Sequence, residues 1–346
     1  MDILTQGVVG AIAAQALSDR MTARRAAMIG FISGLPADAD ILIRSSSDPL
    51  LTLEYHRQFS HALLFIPVGG LLMAILFWGV FRLLASPMRF ADLWPLTTAA
   101  YATSGLLDAC TSYGTQLLWP LSDARIALSI ISVFDPLFTT VLLLCLVLGR
   151  RRMTPIFARI GFGLALLYLS FGAVQKAQAE QSLKYLAQQR GHQIERHVVK
   201  PTLGNLLVWR GIYRHQGQFY IMALRVGPFS EPRYQTGGSL PLFDAAKPLQ
   251  GLDTQSVLAR DIERFSHFSD RYITLRQRTP HPILEDVRYA MFPEALDALW
   301  GIEVRLDRPD RHAPFLTFRK ADPEAFRRFI DRLGEDWEGW KRVGQP

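Results

Sequence analysis

The chain reads as an α-helical polytopic membrane bundle of about four to six spans, followed by a small soluble α+β domain. Three observations predict this. Apolar runs long enough to cross a bilayer are confined to the first half. Charge is concentrated in the second: residues 1–176 hold 13 of the 38 Lys and Arg and 10 of the 31 Asp and Glu. Short alternating segments punctuated by Gly and Pro appear only after the apolar runs end. Of the 346 residues, 49% are hydrophobic and 20% charged, with mean hydropathy +0.12. That is too apolar for a disordered chain and high for a soluble enzyme. Neither a uniform soluble globule nor a wholly embedded bundle fits the split.

In order along the chain, 3–17 and 26–43 are short apolar candidates, either spanning, re-entrant or buried. Gly10/Ala14 and Ala13/Ala17 form small-xxx-small pairs suited to close helix packing. Residues 62–85 form the clearest span, with Arg82 able to snorkel. Residues 93–118 form a second, interrupted by Asp108, and 126–148 a third, carrying Asp135-Pro136. Residues 156–174 form the last. The basic clusters are Arg20/Arg24/Arg25, Arg82/Arg89 and Arg150–152 with Arg159. Placed on the cytoplasmic side, they let six spans thread consistently. Gln6, Asp38/Asp40, His56/His61, residues 111–120 and everything after 176 then lie on the other side. Arg44, Arg57 and Arg125 run against this orientation. There is no Arg/Lys-led cleavable signal, so insertion is expected from these segments.

The domain boundaries expected are 1–176 for the membrane bundle, 177–202 for a helical linker and 203–346 for the extramembrane α+β domain. In the last, 206–210 and 218–226 read as a hairpin about His215-Gln216-Gly217. Residues 257–268 read as an amphipathic helix. Residues 272–276, 283–289, 302–306 and 315–318 read as strands, about six in all. Residues 323–340 read as a helix with Pro in its first turn. Six histidines of this region show no ligand spacing and read as surface groups. Trp209, Trp300, Trp337 and Trp340 read as core or interface. Net charge is +7 with pI about 9.6. This reads as membrane-flanking Arg plus a solvated surface; no basic stripe interleaved with aromatics is present, so nucleic acid is not an expected partner. Cys110 and Cys145 lie in apolar segments and suggest neither a disulfide framework nor a zinc knuckle.

Ionisable groups in apolar segments are costly and face a cavity or a partner. The membrane half holds two of the eight histidines, His56 and His61, just before its best span. Asp38-Ala39-Asp40 lies one loop upstream, and Asp108 lies inside another apolar run. Imidazole and carboxylate together suit zinc, manganese or iron. Two His five apart diverge by about 140° on a helix, so they share a metal only if one lies in a turn. Asp38 and Asp40 diverge by about 200°, and Pro36 favours a non-helical backbone there. Ser104, Asp108, Thr111 and Thr115 recur at i, i+4, i+7 and i+11, one helical face. Each group also has a plain structural reading: His56 at an interface, Asp38 or Asp40 as a helix cap. Spacing leaves both open.

Several stretches carry a resemblance. They are Met1 to Gln6, Gly34-Leu35-Pro36-Ala37-Asp38-Ala39-Asp40, His56-Arg57-Gln58-Phe59-Ser60-His61 and Leu107 to Gln116. Trp119-Pro120-Leu121-Ser122 and Phe134-Asp135-Pro136 follow. In order and spacing the chain resembles the YdjM/YfhP-like family of membrane-bound metal-dependent hydrolases through about residue 176. Fainter echoes follow in Asn205…Trp209-Arg210 and Asp286 to Tyr289. The resemblance implies a multi-pass protein of the bacterial inner membrane, and the charge pattern above then makes its C-terminal domain periplasmic. It implies that Asp38, Asp40, His56, His61 and Asp108 are metal ligands or their supporting shell. The metal implied is divalent: zinc, with manganese or iron as alternatives. Ser104 stands where many members have His, the proline of Pro-Asp-x-Asp is displaced, and Gln6 stands where some have His. The family's distant similarity to zinc-dependent phospholipase C implies phosphoester substrates, by analogy of fold alone.

A metal so held lowers the pKa of bound water and polarises a phosphoryl or acyl oxygen. Glu54, two residues before His56, is a candidate general base; a solvated loop charge is its other reading. Arg57 is a candidate clamp for an anionic substrate, since guanidinium matches phosphate geometry; a headgroup contact is its other reading. The expected partners are the lipid bilayer and a small-molecule or lipid substrate, with any protein partner of the C-terminal domain unspecified. The alternative function is a non-catalytic membrane protein with a structural or degenerate metal site, whose tail binds a partner. A transporter ranks third, because no repeat relates the two halves.

Overall fold

A computed structural model describes residues 1–20, 22–247, 249–318, 323–334 and 337–344. The chain has a helical N-terminal region followed by a sheet-rich C-terminal domain. It divides into two compact units. The first is Met1–Ile43, Tyr55–Val174 and Leu203–Leu206; the second is Arg44–Glu54, Gln175–Thr202 and Leu207–Pro346.

The helices are α1 (Ile3–Leu17), α2 (Ala23–Ser33), the short α3 (Leu51–Tyr55), α4 (Ile66–Leu83), α5 (Phe90–Cys110), α6 (Pro136–Arg152) and α7 (Ile156–Gln189). Asp2 starts α1 by accepting from the Thr5 amide at 3.0 Å, which satisfies an orphan donor. Asp135 does the same for α6, accepting from Phe138 N at 3.1 Å, with Pro136 in the first turn. α1 is buried from Thr5 to Gln15 and packs on α2, α5 and α6. Its crossing with α2 uses glycine: a Cβ on Gly30 would overlap the Gly10 carbonyl and crowd Ala14. The small-residue pair read from the sequence therefore marks a real contact. Val8, Ile12, Leu107, Ile131, Phe138 and Leu142 fill one core cluster.

The outside of this unit is apolar too. Leu72, Ile75 and Leu76 of α4, Leu137, Leu144 and Leu148 of α6, and Leu166 and Leu167 of α7 are all exposed. Among the described residues only Leu63–Leu83 and Ile156–Gln189 are long and apolar enough to cross a membrane, fewer than the four to six expected. Conformation accounts for part of the shortfall. Residues 126–135 are not helical, and Leu128 N and Ile130 N bond to the Ala109 and Cys110 carbonyls instead. α5 ends at Cys110, so Thr111 and Thr115 leave the face that Ser104 and Asp108 share. An apolar run counts residues; it does not say whether they coil.

In the second unit, β1 (Arg196–Pro201), β2 (Val208–His215), β3 (Gln218–Gly227), β4 (Ser230–Pro241), β5 (Ile273–Arg276), β6 (Ile283–Asp286), β7 (Trp300–Glu303), β8 (Phe315–Thr317) and β9 (Lys341–Arg342) form two antiparallel sheets. Their orders are β1-β2-β3-β4-β9 and β5-β6-β7-β8. The nine described strands exceed the six expected. Within 177–202, expected as a helical linker, α7 runs on to Gln189 and β1 occupies Arg196–Pro201. β4 escapes sequence reading because its mixed burial leaves no period-2 alternation. The β2–β3 hairpin turns on Gln216 and Gly217, both at positive φ, as a two-residue turn requires. α8 (Val257–Phe268) has the expected bounds, capped by Ser256 on Ala259 N at 3.2 Å. α9 (Pro323–Asp331) stops short of the expected 340; Glu335 and Asp336 lie outside the described residues. Ile212, Phe219, Ile221, Leu240, Tyr272 and Val287 form a core joining the first sheet to the residues that flank β5 and β6.

Candidate metal centre

The five acids and imidazoles singled out by sequence meet in the first unit, and irregular backbone makes this possible. Pro36 opens a 3-10 turn, Pro36–Leu42, that carries Asp38 and Asp40. His56 lies in the turn after α3, Arg57 adopts a positive φ of 62°, and His61 closes a second 3-10 turn, Phe59–His61. Two imidazoles five residues apart converge because neither sits on an α-helix. α5 brings Asp108. A Cβ on Gly105 would overlap the His61 carbonyl, so glycine at this position lets the His61 turn lie against α5. Tyr101 donates to the Ser60 carbonyl at 2.8 Å and Ser104 to the Gly34 carbonyl at 2.6 Å. Ser104 thus ties α5 to the segment leading into the Asp38 turn.

Asp40 is the hub. One oxygen lies 2.8 Å from His56 Nδ1. The other accepts from Arg57 N at 2.8 Å and Ser60 Oγ at 2.7 Å, and lies 3.2 Å from His61 Nδ1. His61 Nε2 points to the opposite side, 3.2 Å from Asp38 Oδ1 and 3.3 Å from Asp108 Oδ2. Asp38, Asp40 and His61 each offer a donor atom within 4.8 Å of the others. Arg57 Nε lies 3.0 Å from Asp108 Oδ2, and Arg57 also donates to Thr111 Oγ1 at 3.1 Å and lies over the Tyr113 ring at 5.0 Å. The Met1 amine bonds to the second Asp108 oxygen.

Burial works against charge on Asp40, but hydrogen bonds with His56 and His61 hold its carboxyl well below the usual range. Burial likewise opposes charge on His61, and Asp108, Asp38 and Asp40 more than offset it, raising the imidazole to about 10. The centre therefore favours positive charge between its carboxylates.

The two proposed catalytic groups fare differently. Arg57 belongs to the centre, buried and paired. Glu54 falls in the second unit, where its carboxylate takes Arg264 Nε at 2.6 Å and Nη2 at 2.9 Å. The same guanidinium binds Asp48 at 2.9 Å and Asp261 at 2.8 Å, and His312 lies 3.0 Å from Asp261. One arginine thus pairs with all three carboxylates of this cluster, a grouping across more than two hundred positions that no local spacing reveals. Reasoning from sequence also missed Ser60 and Tyr101, which brace the centre as ordinary polar residues inside apolar runs. Gln6 is buried, and its side-chain amide has no hydrogen-bond partner among the described residues.

The family described as YdjM inner membrane protein matches residues 1–179. A Bacillus subtilis (strain 168) protein named uncharacterized protein YfhP is 32% identical over 117 residues, 32% of this chain and 33% of that protein. The chain thus spans about a third of the length of that curated relative. No solved structure matches.

Proposed function

The chain belongs to the YdjM inner membrane protein family, and from that premise and the polar centre we propose that it is an integral membrane metal-dependent hydrolase. The observation that carries this reading is His61 Nε2 facing Asp38 at 3.2 Å and Asp108 at 3.3 Å. Donors around a tetrahedral ion with bonds of about 2.0–2.1 Å lie about 3.3–3.4 Å apart. The donor set is the imidazole-and-carboxylate mixture that zinc takes, and manganese or iron accept. Asp38, Asp108 and His61 would hold the ion, and Asp40 orients His61 through Nδ1, as carboxylates behind metal-bound imidazoles do. A divalent cation bound here would supply Lewis acidity and would lower the pKa of water toward 7.

The chain's own groups supply the rest. His56, fixed at Nδ1 by Asp40, keeps Nε2 for proton transfer, with its side chain 17% exposed. It is better placed for that role than Glu54, which Arg264 engages. Arg57, oriented by Thr111 and Tyr113, offers a guanidinium to an anionic phosphoester or lipid-derived substrate.

The exposed apolar faces of α4, α6 and α7 support a multi-pass arrangement. Arg24 Nε donates to the Arg150 carbonyl at 3.3 Å, Arg25 to Ser86 Oγ at 2.7 Å and Arg159 Nε to the Ala16 carbonyl at 3.0 Å. These contacts gather the three basic clusters at one end, which supports a cytoplasmic assignment for it. The metal centre and the C-terminal domain are then periplasmic, and a phosphatase fused after residue 346 is expected to be active there. A fusion active only in the cytoplasm overturns the orientation.

The decisive test is elemental analysis of the detergent-purified protein, wild type and His61→Ala, beside a phosphoester turnover panel. Stoichiometric metal and turnover, both lost in a variant with an unchanged melting profile, support the hydrolase. Absence of metal from wild type refutes it. A second reading, a non-catalytic protein with a polar packing centre, is favoured by one observation: Asp108 is already neutralised by Arg57 and the Met1 amine.

A further inference from the structure

α1 has 15 residues, about 22 Å at 1.5 Å each, so its two ends serve different surfaces. The start of α1 abuts the metal centre through Met1. Past its other end, Arg20 and the turn joining α6 to α7 border an open cleft of about 750 Å³, lined by Arg20, Arg152, Met153, Thr154 and Ile156. Among the described residues no carboxylate lines it. Asp19, the acid next to Arg20, accepts from the Thr22 amide and hydroxyl. Arg24 and Arg159, close by, are committed to backbone carbonyls. Arg20 and Arg152 are exposed and make no ion pair among the described residues. Met153 closes α6 with a left-handed residue, φ 51°, and the first turn of α7 adds the positive end of a long helix dipole.

The cleft also continues into apolar surface. Leu144 and Leu148 of α6 are exposed and share a face at i, i+4. Ile156, Ile160 and Leu164 of α7 repeat the pattern at i, i+4 and i+8, all exposed. An anion-binding head from which two apolar tracks lead away is the shape of an amphiphile, and a small soluble anion has no use for the tracks. Basic pockets between membrane helices take anionic lipid headgroups. We propose that this cleft binds the phosphate of an anionic phospholipid, with its acyl chains along the exposed faces of α6 and α7. This is separate from the metal centre and does not depend on its reading.

The test follows the thermal midpoint of the full-length protein in nonionic detergent while phosphatidylglycerol, phosphatidylcholine or inorganic phosphate is added. Phosphatidylglycerol is expected to raise the midpoint, and the other two to leave it unchanged. In Arg20→Gln/Arg152→Gln the half-saturating lipid concentration should rise about thirtyfold, at about 1 kcal/mol for each guanidinium near an anionic surface. Arg89→Gln/Arg151→Gln, with the same change in net charge but outside the cleft, should respond as wild type. Arg152→Lys should keep most of the response, which separates lost charge from a damaged fold. A midpoint indifferent to phosphatidylglycerol overturns the proposal, as does equal protection by phosphatidylcholine. Equal protection by inorganic phosphate reveals a small-anion site and overturns the lipid assignment. Equal loss in the Arg89/Arg151 variant reduces the effect to the general surface field and overturns the site.

Discussion

Asp40→Asn probes the centre most directly, because its consequences can be worked bond by bond. Asp40 takes four partners: His56 Nδ1, Arg57 N, Ser60 Oγ and His61 Nδ1. Asparagine can keep its oxygen toward Arg57 N, which only donates, and toward Ser60 and His61. Its NH2 then faces His56 Nδ1 at the present 2.8 Å, and His56 must move its proton to Nε2 to accept. His61 keeps a neutral acceptor in place of a charged one, so its imidazole is less basic and less firmly oriented. On the metal-binding function proposed above, a supporting carboxylate is worth about 10- to 100-fold in metal affinity, or about 1.4–2.7 kcal/mol. The fold should lose about as much, since charge-assisted bonds of about 1.5–3 kcal/mol each become neutral ones. The assay is competition for the metal against a chromophoric chelator in detergent, with the thermal midpoint recorded in parallel. Undiminished affinity in Asp40→Asn would falsify the view that Asp40 orients His61 for the ion.

Other outcomes follow from the same structure. Gly30→Val places a branched side chain against the Gly10 carbonyl, which must separate α1 from α2 at a cost of about 1–3 kcal/mol or more; a melting temperature equal to wild type refutes the close crossing. Lys200 is buried beside Arg288 and Arg210 and donates to Tyr289 OH at 2.8 Å. Burial first, then the Arg288 charge, lowers its pKa well below 10.5. Between the folded value and 10.5 the unfolded chain holds a proton that the folded chain does not. Stability therefore rises with pH across that window, by up to about 1.4 kcal/mol per unit. Lys200→Met should flatten this limb, and denaturant titrations at pH 7 and 9 check it. Arg264→Gln leaves Asp48, Glu54 and Asp261 facing one another, and should lower the midpoint in low salt more than in high salt. Burial works against charge on Asp48, but its hydrogen bond with Arg264 lowers its pKa below 3.8. Its contribution is thus present above pH 4 and lost on acidification below it, and the variant should lack this acid-side loss.

Composition and periodicity alone determined that the chain is two chemistries in series, since apolar length and charge density are sums over neighbours. They also determined α8, whose 3.6-residue pattern and Ser256 cap are local, and the Gly10 crossing, announced by small residues at helical spacing. The residue types of the centre were legible as anomalies: His56, His61, Asp38, Asp40 and Asp108 are costly in apolar surroundings wherever they lie. Only the tertiary structure decided that they meet. That required two 3-10 turns, a left-handed Arg57 and a glycine on α5, none of which a hydropathy pattern encodes. Likewise, nothing near Glu54 in sequence announces Arg264, and the extended stretch before Pro136 reads as helix until its amides are seen bonding to the end of α5. Local pattern sets the energy of a segment in an average environment. The partners that cancel a charge or claim a backbone amide come from distant segments, and those partners decide what each residue does.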